Sequence, residues 1–140
     1  MSPVPQPLAL YLDAAAHQVF GLFHDADRTA ATPWTGVVLL PQFGWEAMCS
    51  HRPRRTWAER LAAAGIPTLR IEYPGAGDSS GSPRDPGLLD AWIASVDAAA
   101  RWLRSGGGCG RVAVVGLELG GLLACQAVAG GAPVEELVLW

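Results

Sequence analysis

The pattern of apolar and polar positions divides the chain into alternating strands and helices. Leu8–Leu12 and Gln18–His24 are short β-prone runs, and Asp13–His17 between them reads as the turn of an opening hairpin. Asp25 to Thr35 is polar, alanine-rich and broken by Pro33, which marks a loop. Gly36–Leu40 (GVVLL) is a continuous apolar run, the mark of a strand buried on both faces. Pro41–Ser50 reads as a loop. A helix is expected from about Pro53, with Trp57, Leu61 and Ala64 at helical spacing and Gly65 as its C-terminal stop. Thr68–Tyr73 is the next strand, and Pro74–Pro86, dense in Gly, Ser, Asp and Pro, the next loop. Leu88–Leu103 is amphipathic, with Leu88, Leu89, Trp92, Val96 and Leu103 on one broad stripe. After the glycine connection Gly106–Gly108 come a buried strand at Val112–Val115, a helix at Leu119–Ala129, a break at Gly130–Pro133, and a strand at Leu137–Trp140.

A hairpin followed by strands alternating with helices predicts a three-layer α/β domain with a mostly parallel sheet. Ligands of such sheets bind beyond the carboxyl ends of the strands. That directs attention to Pro41–His51, Pro74–Pro86 and Gly116–Gly121, and places Cys109 at the opposite end.

Composition changes the picture in a few places. With 140 residues, half of them hydrophobic, the chain builds one domain with a real core, residues 1–140. A net charge of −3 argues against a phosphate-backbone partner, so no nucleic acid is expected. Cys49, Cys109 and Cys125 are odd in number and lack metal-site spacing. No metal, no cofactor and a reducing, cytoplasmic setting are the expectations. The N-terminus lacks the basic and apolar regions of a secretory signal. The apolar stretch Val112–Pro133 is interrupted by Glu118 within a glycine turn, so no membrane span is expected.

The run VAVVGLELGGLL is strand, sharp glycine turn, helix. Its frame matches the nucleophile elbow G-x-S-x-G, with Glu118 where serine is usual. Glu118 then stands at a helix N-terminus, where the dipole favours an anion. It reads as an unusual carboxylate nucleophile, or else as a cap or relic. A dinucleotide loop is the rival reading of Gly116-x3-Gly120 with Glu135. It fails on the missing GxGxxG, on the repulsion between Glu118 and a pyrophosphate, and on the place of Glu135 at the start of its strand.

The run VLLPQFG…TWAERLAAAGIPTLRIEYPGAGDSSG…VAVVGLELGGLLA…LVLW resembles the N-terminal half of the α/β-hydrolase superfamily, and within it bacterial serine-aminopeptidase-like and exosortase-associated hydrolases. The resemblance implies hydrolysis or transfer of an acyl group from an ester, thioester or amide, on a small-molecule substrate. It assigns Phe43 and Leu119 as oxyanion-hole donors, and puts Asp78 and Ser79 in the loop bordering the site. Glu46 and His51 lie on the same rim. Neither the family's acid nor its histidine has a counterpart among these residues, and His17, His24 and His51 do not match it. A non-catalytic, degenerate hydrolase fold that binds a small molecule or a protein partner is therefore the alternative. The apolar last strand implies an open sheet edge, expected to be covered by a C-terminal half or a second copy.

Of the remaining features, Ser50 is expected to cap the helix after it, and Cys125 to be a small buried hydrophobe. Arg52, Arg54 and Arg55 read as a solvated helix start or as a holder of an anionic substrate tail.

Overall fold

The computed structural model describes residues 5–28 and 34–140. Residues 29–33 of the expected Asp25–Thr35 loop lie outside them, as does Pro33.

Strands β1 (Leu8–Ala14) and β2 (His17–His24) form the opening hairpin, in register from Leu8 opposite Phe23 to Ala14 opposite His17. The turn is tighter than the sequence suggested, because the strands run to within two residues of each other and Ala15 takes the positive φ of 53° that such a turn requires. Strand β3 (Thr35–Leu40) leads into helix α1 (Gly44–Cys49), then α2 (His51–Ala63), β4 (Thr68–Ile71), α3 (Leu88–Ser105), β5 (Arg111–Gly116), α4 (Leu119–Ala129) and β6 (Glu136–Leu139).

Two expectations about the segment after β3 are corrected. Pro41–Ser50 is not all loop, for it contains α1. That helix buries none of its residues, so it left no apolar periodicity to read. Helix α2 starts at His51, two residues early, and Ser50 does not cap it with its side chain. Ser50 keeps near-helical backbone angles between the two helices, and its hydroxyl donates instead to Gln42 Oε1 at 2.6 Å.

The strand order is β1-β2-β4-β3-β5-β6. The hairpin and its junction with β4 are antiparallel, and the other pairs are parallel. Alternation along the strands divides the core between two faces. Val38, Leu40, Leu69, Ile71, Val112 and Val114 pack under α3 and α4, against Val96, Ala99, Leu103, Leu123 and Ala127. On the other face, Val37, Leu39 and Ala113 meet Ala58, Trp57 and Leu61 of α2. Leu89, expected on the inward stripe of α3, is exposed instead; Ala91, Ala99 and Ala100 fill that face and bring the helix close to the sheet. At the far edge, Val138, Leu139 and Trp140 are exposed. Among the described residues no helix is long and apolar enough to cross a membrane.

This layout puts the carboxyl ends of β3, β4 and β5 side by side. The segments that leave them, Pro41–Gly44, Tyr73–Pro83 and Leu117–Gly121, converge at one end of the sheet.

Candidate functional site

Strand β5 ends at Gly116 and α4 begins at Leu119, leaving two residues for a reversal. Glu118 takes φ 51° and ψ −112°. A non-glycine residue held there costs about 1–3 kcal/mol, which the surroundings must over-determine. They do so through the backbone: the Glu118 N–H donates to Trp140 O at 2.8 Å, and the Gly121 N–H donates to Glu118 O at 2.9 Å. The frame glycines admit no side chain. A Cβ at Gly116 would lie 2.5 Å from Gly121 Cα, and one at Gly120 would lie 2.9 Å from Pro41 O. The close approach at Gly120 sets the start of α4 directly against the segment after β3.

Glu118 is exposed, and its carboxylate has no hydrogen-bond partner among the described residues. The N–H of Leu119, first of its helix, donates to no described acceptor, and neither does that of Phe43 at the start of α1. These are two unspent backbone donors on neighbouring segments.

On the other side of Pro41–Gly44 lies a cavity of about 650 Å³. Pro41–Gly44 and α1 form one wall, Glu72–Gly77 and Pro83 another, and Leu88 and Trp92 of α3 close it. Its walls are tied by two side-chain hydrogen bonds to backbone. The Tyr73 hydroxyl donates to Pro41 O at 2.9 Å, linking the segments after β3 and β4. The Trp92 indole N–H donates to Pro74 O at 2.9 Å. Trp92 also stacks obliquely on Phe43 and Tyr73, with centroids 5.3 and 5.7 Å away. Burial pushes the Tyr73 hydroxyl well above the usual phenol range, against a smaller opposing pull from Arg54, so it stays a neutral donor.

The floor is polar. Arg54 of α2 is only 5% exposed. Its Nε–H donates to Ser50 Oγ at 3.2 Å and its Nη2–H to Ala47 O at 3.0 Å. Burial lowers its pKa, and Tyr73 and Glu72 oppose that shift. Glu72 is turned toward its own loop, where Oε2 accepts the Asp78 N–H at 2.6 Å.

The structure sorts the sequence-derived residues into distinct places. Phe43 and His51 line the cavity and are exposed at its mouth. Glu118 and Leu119 do not line it; they lie across the Pro41–Gly44 segment. Glu46 is exposed on α1 and Asp78 is exposed in the loop after β4, both off the cavity wall. Ser79 is a brace. Its hydroxyl accepts the Phe20 N–H at 2.8 Å and donates to Glu72 O at 2.6 Å, tying the loop to β2.

The basic cluster splits. Arg52 and Arg55 are exposed, with Arg55 paired to Glu59 at 2.8 Å, while Arg54 is buried. Cys125 is exposed on α4, not buried as expected, because it faces away from the sheet on the turn opposite Leu123 and Ala127. Cys109 is buried near the start of β5, away from the cavity, and burial raises its thiol pKa. Glu135 accepts the Val112 N–H at 2.7 Å, at the end of β5 opposite Gly116. That separation removes the dinucleotide reading. Sequence reasoning missed Tyr73, Trp92 and Glu72 as wall residues and the burial of Arg54. The signal for Arg54 was its place one turn before Trp57 and Ala58 on the inward stripe of α2.

No family model and no curated protein matches the sequence, whereas the fold has many relatives among solved structures. A hypothetical protein from Pseudomonas aeruginosa superposes with a TM-score of 0.81 at 19% identity, over 99% of this chain and 44% of that one. An α/β serine hydrolase without lid from Xanthomonas campestris gives 0.72 at 22% identity, over 99% and 63%. An esterase from Pyrococcus furiosus gives 0.69 at 18% identity, over 92% and 47%. The chain thus spans about half the length of the structures it matches. Its strand order, its strained strand-to-helix reversal and these superpositions agree: the chain has the fold of the α/β hydrolases.

Proposed function

We propose that the chain carries the reacting centre of a hydrolase acting on a small acyl ester, thioester or amide, with Glu118 as nucleophile at the elbow. The observation that supports this most is the conformation of Glu118. Strain of this kind is retained where it presents a side chain, and a residue that only capped a helix would have no use for it. A Glu118 carboxylate oxygen attacks the acyl carbon, and the carbonyl oxygen becomes an oxyanion that accepts hydrogen bonds from the Phe43 and Leu119 N–H groups. Collapse breaks the bond to the leaving group as that group takes a proton from water and departs as the alcohol, thiol or amine, and leaves a mixed anhydride on Glu118. Water then adds, releases the acid and restores the carboxylate. The cavity beside Phe43 holds the substrate body. Fold alone does not fix an activity, so Glu118 has to be tested directly. Hydrolysis of p-nitrophenyl acyl esters by the chain is expected, and Glu118→Gln should lower kcat/KM by about 10³-fold or more. Equal rates in the two proteins would rule out the nucleophile.

A second reading has its own support. Neither a histidine nor another carboxylate hydrogen-bonds Glu118 among the described residues, which suits a fold that binds the small molecule without turning it over.

A further inference from the structure

We propose that the cavity binds an amphipathic carboxylate, with its head group on Arg54 and its apolar body along Phe43, Met48, Leu88 and Trp92. The assignment deepens the functional reading above in that it takes the cavity as the ligand site, but it requires no chemistry at Glu118.

Buried arginines are rare unless something pairs them. Arg54 belongs to none of the ion pairs among the described residues. Its two hydrogen bonds go to neutral oxygens and use one edge of the fork, Nε–H and one Nη2–H. Both Nη1 hydrogens and the second Nη2 hydrogen are left, and one Nη1–H with that Nη2–H forms the end-on edge that meets a carboxylate in a bidentate pair. Nη1 has no hydrogen-bond partner among the described residues, yet it is not one of the fully buried unpartnered nitrogens there, as Arg28 Nε is, so it keeps some contact with solvent. Arg54 is one of the residues that line the cavity. Glu72 is the carboxylate on the same wall, and its bond to the Asp78 N–H holds it toward the loop and away from pairing with Arg54. Above the cation the walls are apolar and aromatic. Phe43 and Met48 are 58% and 69% exposed, as apolar side chains waiting for an apolar partner would be. A cation with an open edge below and hydrocarbon above is the complement of a fatty-acid-like ligand.

The test is equilibrium binding to the full chain, followed by tryptophan fluorescence and calorimetry, with decanoate against the neutral decanamide at concentrations below micelle formation. Decanoate should bind at least about tenfold tighter than decanamide, as a charge-assisted bidentate pair predicts. Equal affinities, or no decanoate binding, would overturn the proposal. Arg54→Met should abolish the preference while decanamide still binds, and a preference that persists there would refute the role of Arg54. Should that variant not fold, the wild-type comparison decides alone, supported by Glu72→Gln, which should tighten decanoate binding. Decyl phosphate shares the anionic chemistry, and binding tighter than decanoate would overturn the carboxylate assignment. The binding readout needs no turnover, so a failed hydrolytic reading and a failed binding site give different results.

Discussion

The reversal at Glu118 and the cavity over Arg54 sit on either side of one short segment, Pro41–Gly44, yet they are built in opposite ways. The reversal is made by backbone: two glycines pressed against neighbouring main chain, peptide hydrogen bonds from and to Glu118, and an exposed side chain with no hydrogen-bond partner among the described residues. The cavity is made by side chains: Tyr73 and Trp92 hold its walls to carbonyl groups, and Arg54 is buried among neutral oxygens. A backbone device should be intolerant at its frame and indifferent at its tip. A side-chain device should depend on the charge states of its members.

The largest effect should come from the frame. Gly116→Val puts atoms where Gly121 main chain already lies and should cost more than about 3 kcal/mol, read as a lowered urea midpoint. A near-wild-type midpoint would mean that the β5–α4 contact is loose. Next comes the buried polar pair between β2 and β4, where Arg70 Nε donates to His24 Nε2 at 3.1 Å. Burial first, and the Arg70 charge second, pull the His24 pKa from 6.5 down to about 4. The folded chain keeps this imidazole neutral while the unfolded chain protonates it near 6.5, so the stabilisation is whole above pH 6.5 and declines as pH falls toward 4. The loss should approach about 3 kcal/mol over that window. His24→Gln keeps an acceptor for Arg70 but cannot titrate, and its melting curves should lose that part of the acid dependence. Identical pH profiles would contradict a neutral His24 beside the Arg70 cation. The smallest effect is at the tip. Glu118→Gln should leave stability unchanged, whereas Glu118→Gly should raise it by about 1 kcal/mol through released strain. A loss with Gly would mean that the carboxylate contributes to the fold.

The same contrast explains what was legible in the sequence. The reversal is local, written within six residues as glycines around Glu118 and flanked by an apolar strand and a helix, so its position could be read directly. The places of the central strands along the chain followed from the runs GVVLL, TLRI and VAVV, whereas their order in the sheet came only with the structure. The cavity depends on partners far apart in the chain: Tyr73 reaches Pro41 and Trp92 reaches Pro74. No spacing encodes those pairs. Helix α1 hid for a different reason, since a helix with no buried face leaves no periodic trace. Arg54 was visible but misread, because three arginines in four positions look like a solvated surface until the helix is turned and one of them faces inward.

Trapping of a covalent acyl intermediate decides the role of Glu118. The chain is mixed with an activated acyl ester, quenched in acid within the first turnovers, and digested, and the mass of the peptide spanning Gly116–Gly120 is measured. An added acyl group is expected on that peptide, absent in Glu118→Gln and removed by hydroxylamine. An unmodified peptide during measurable ester hydrolysis, or an acyl group on any other residue, would contradict it.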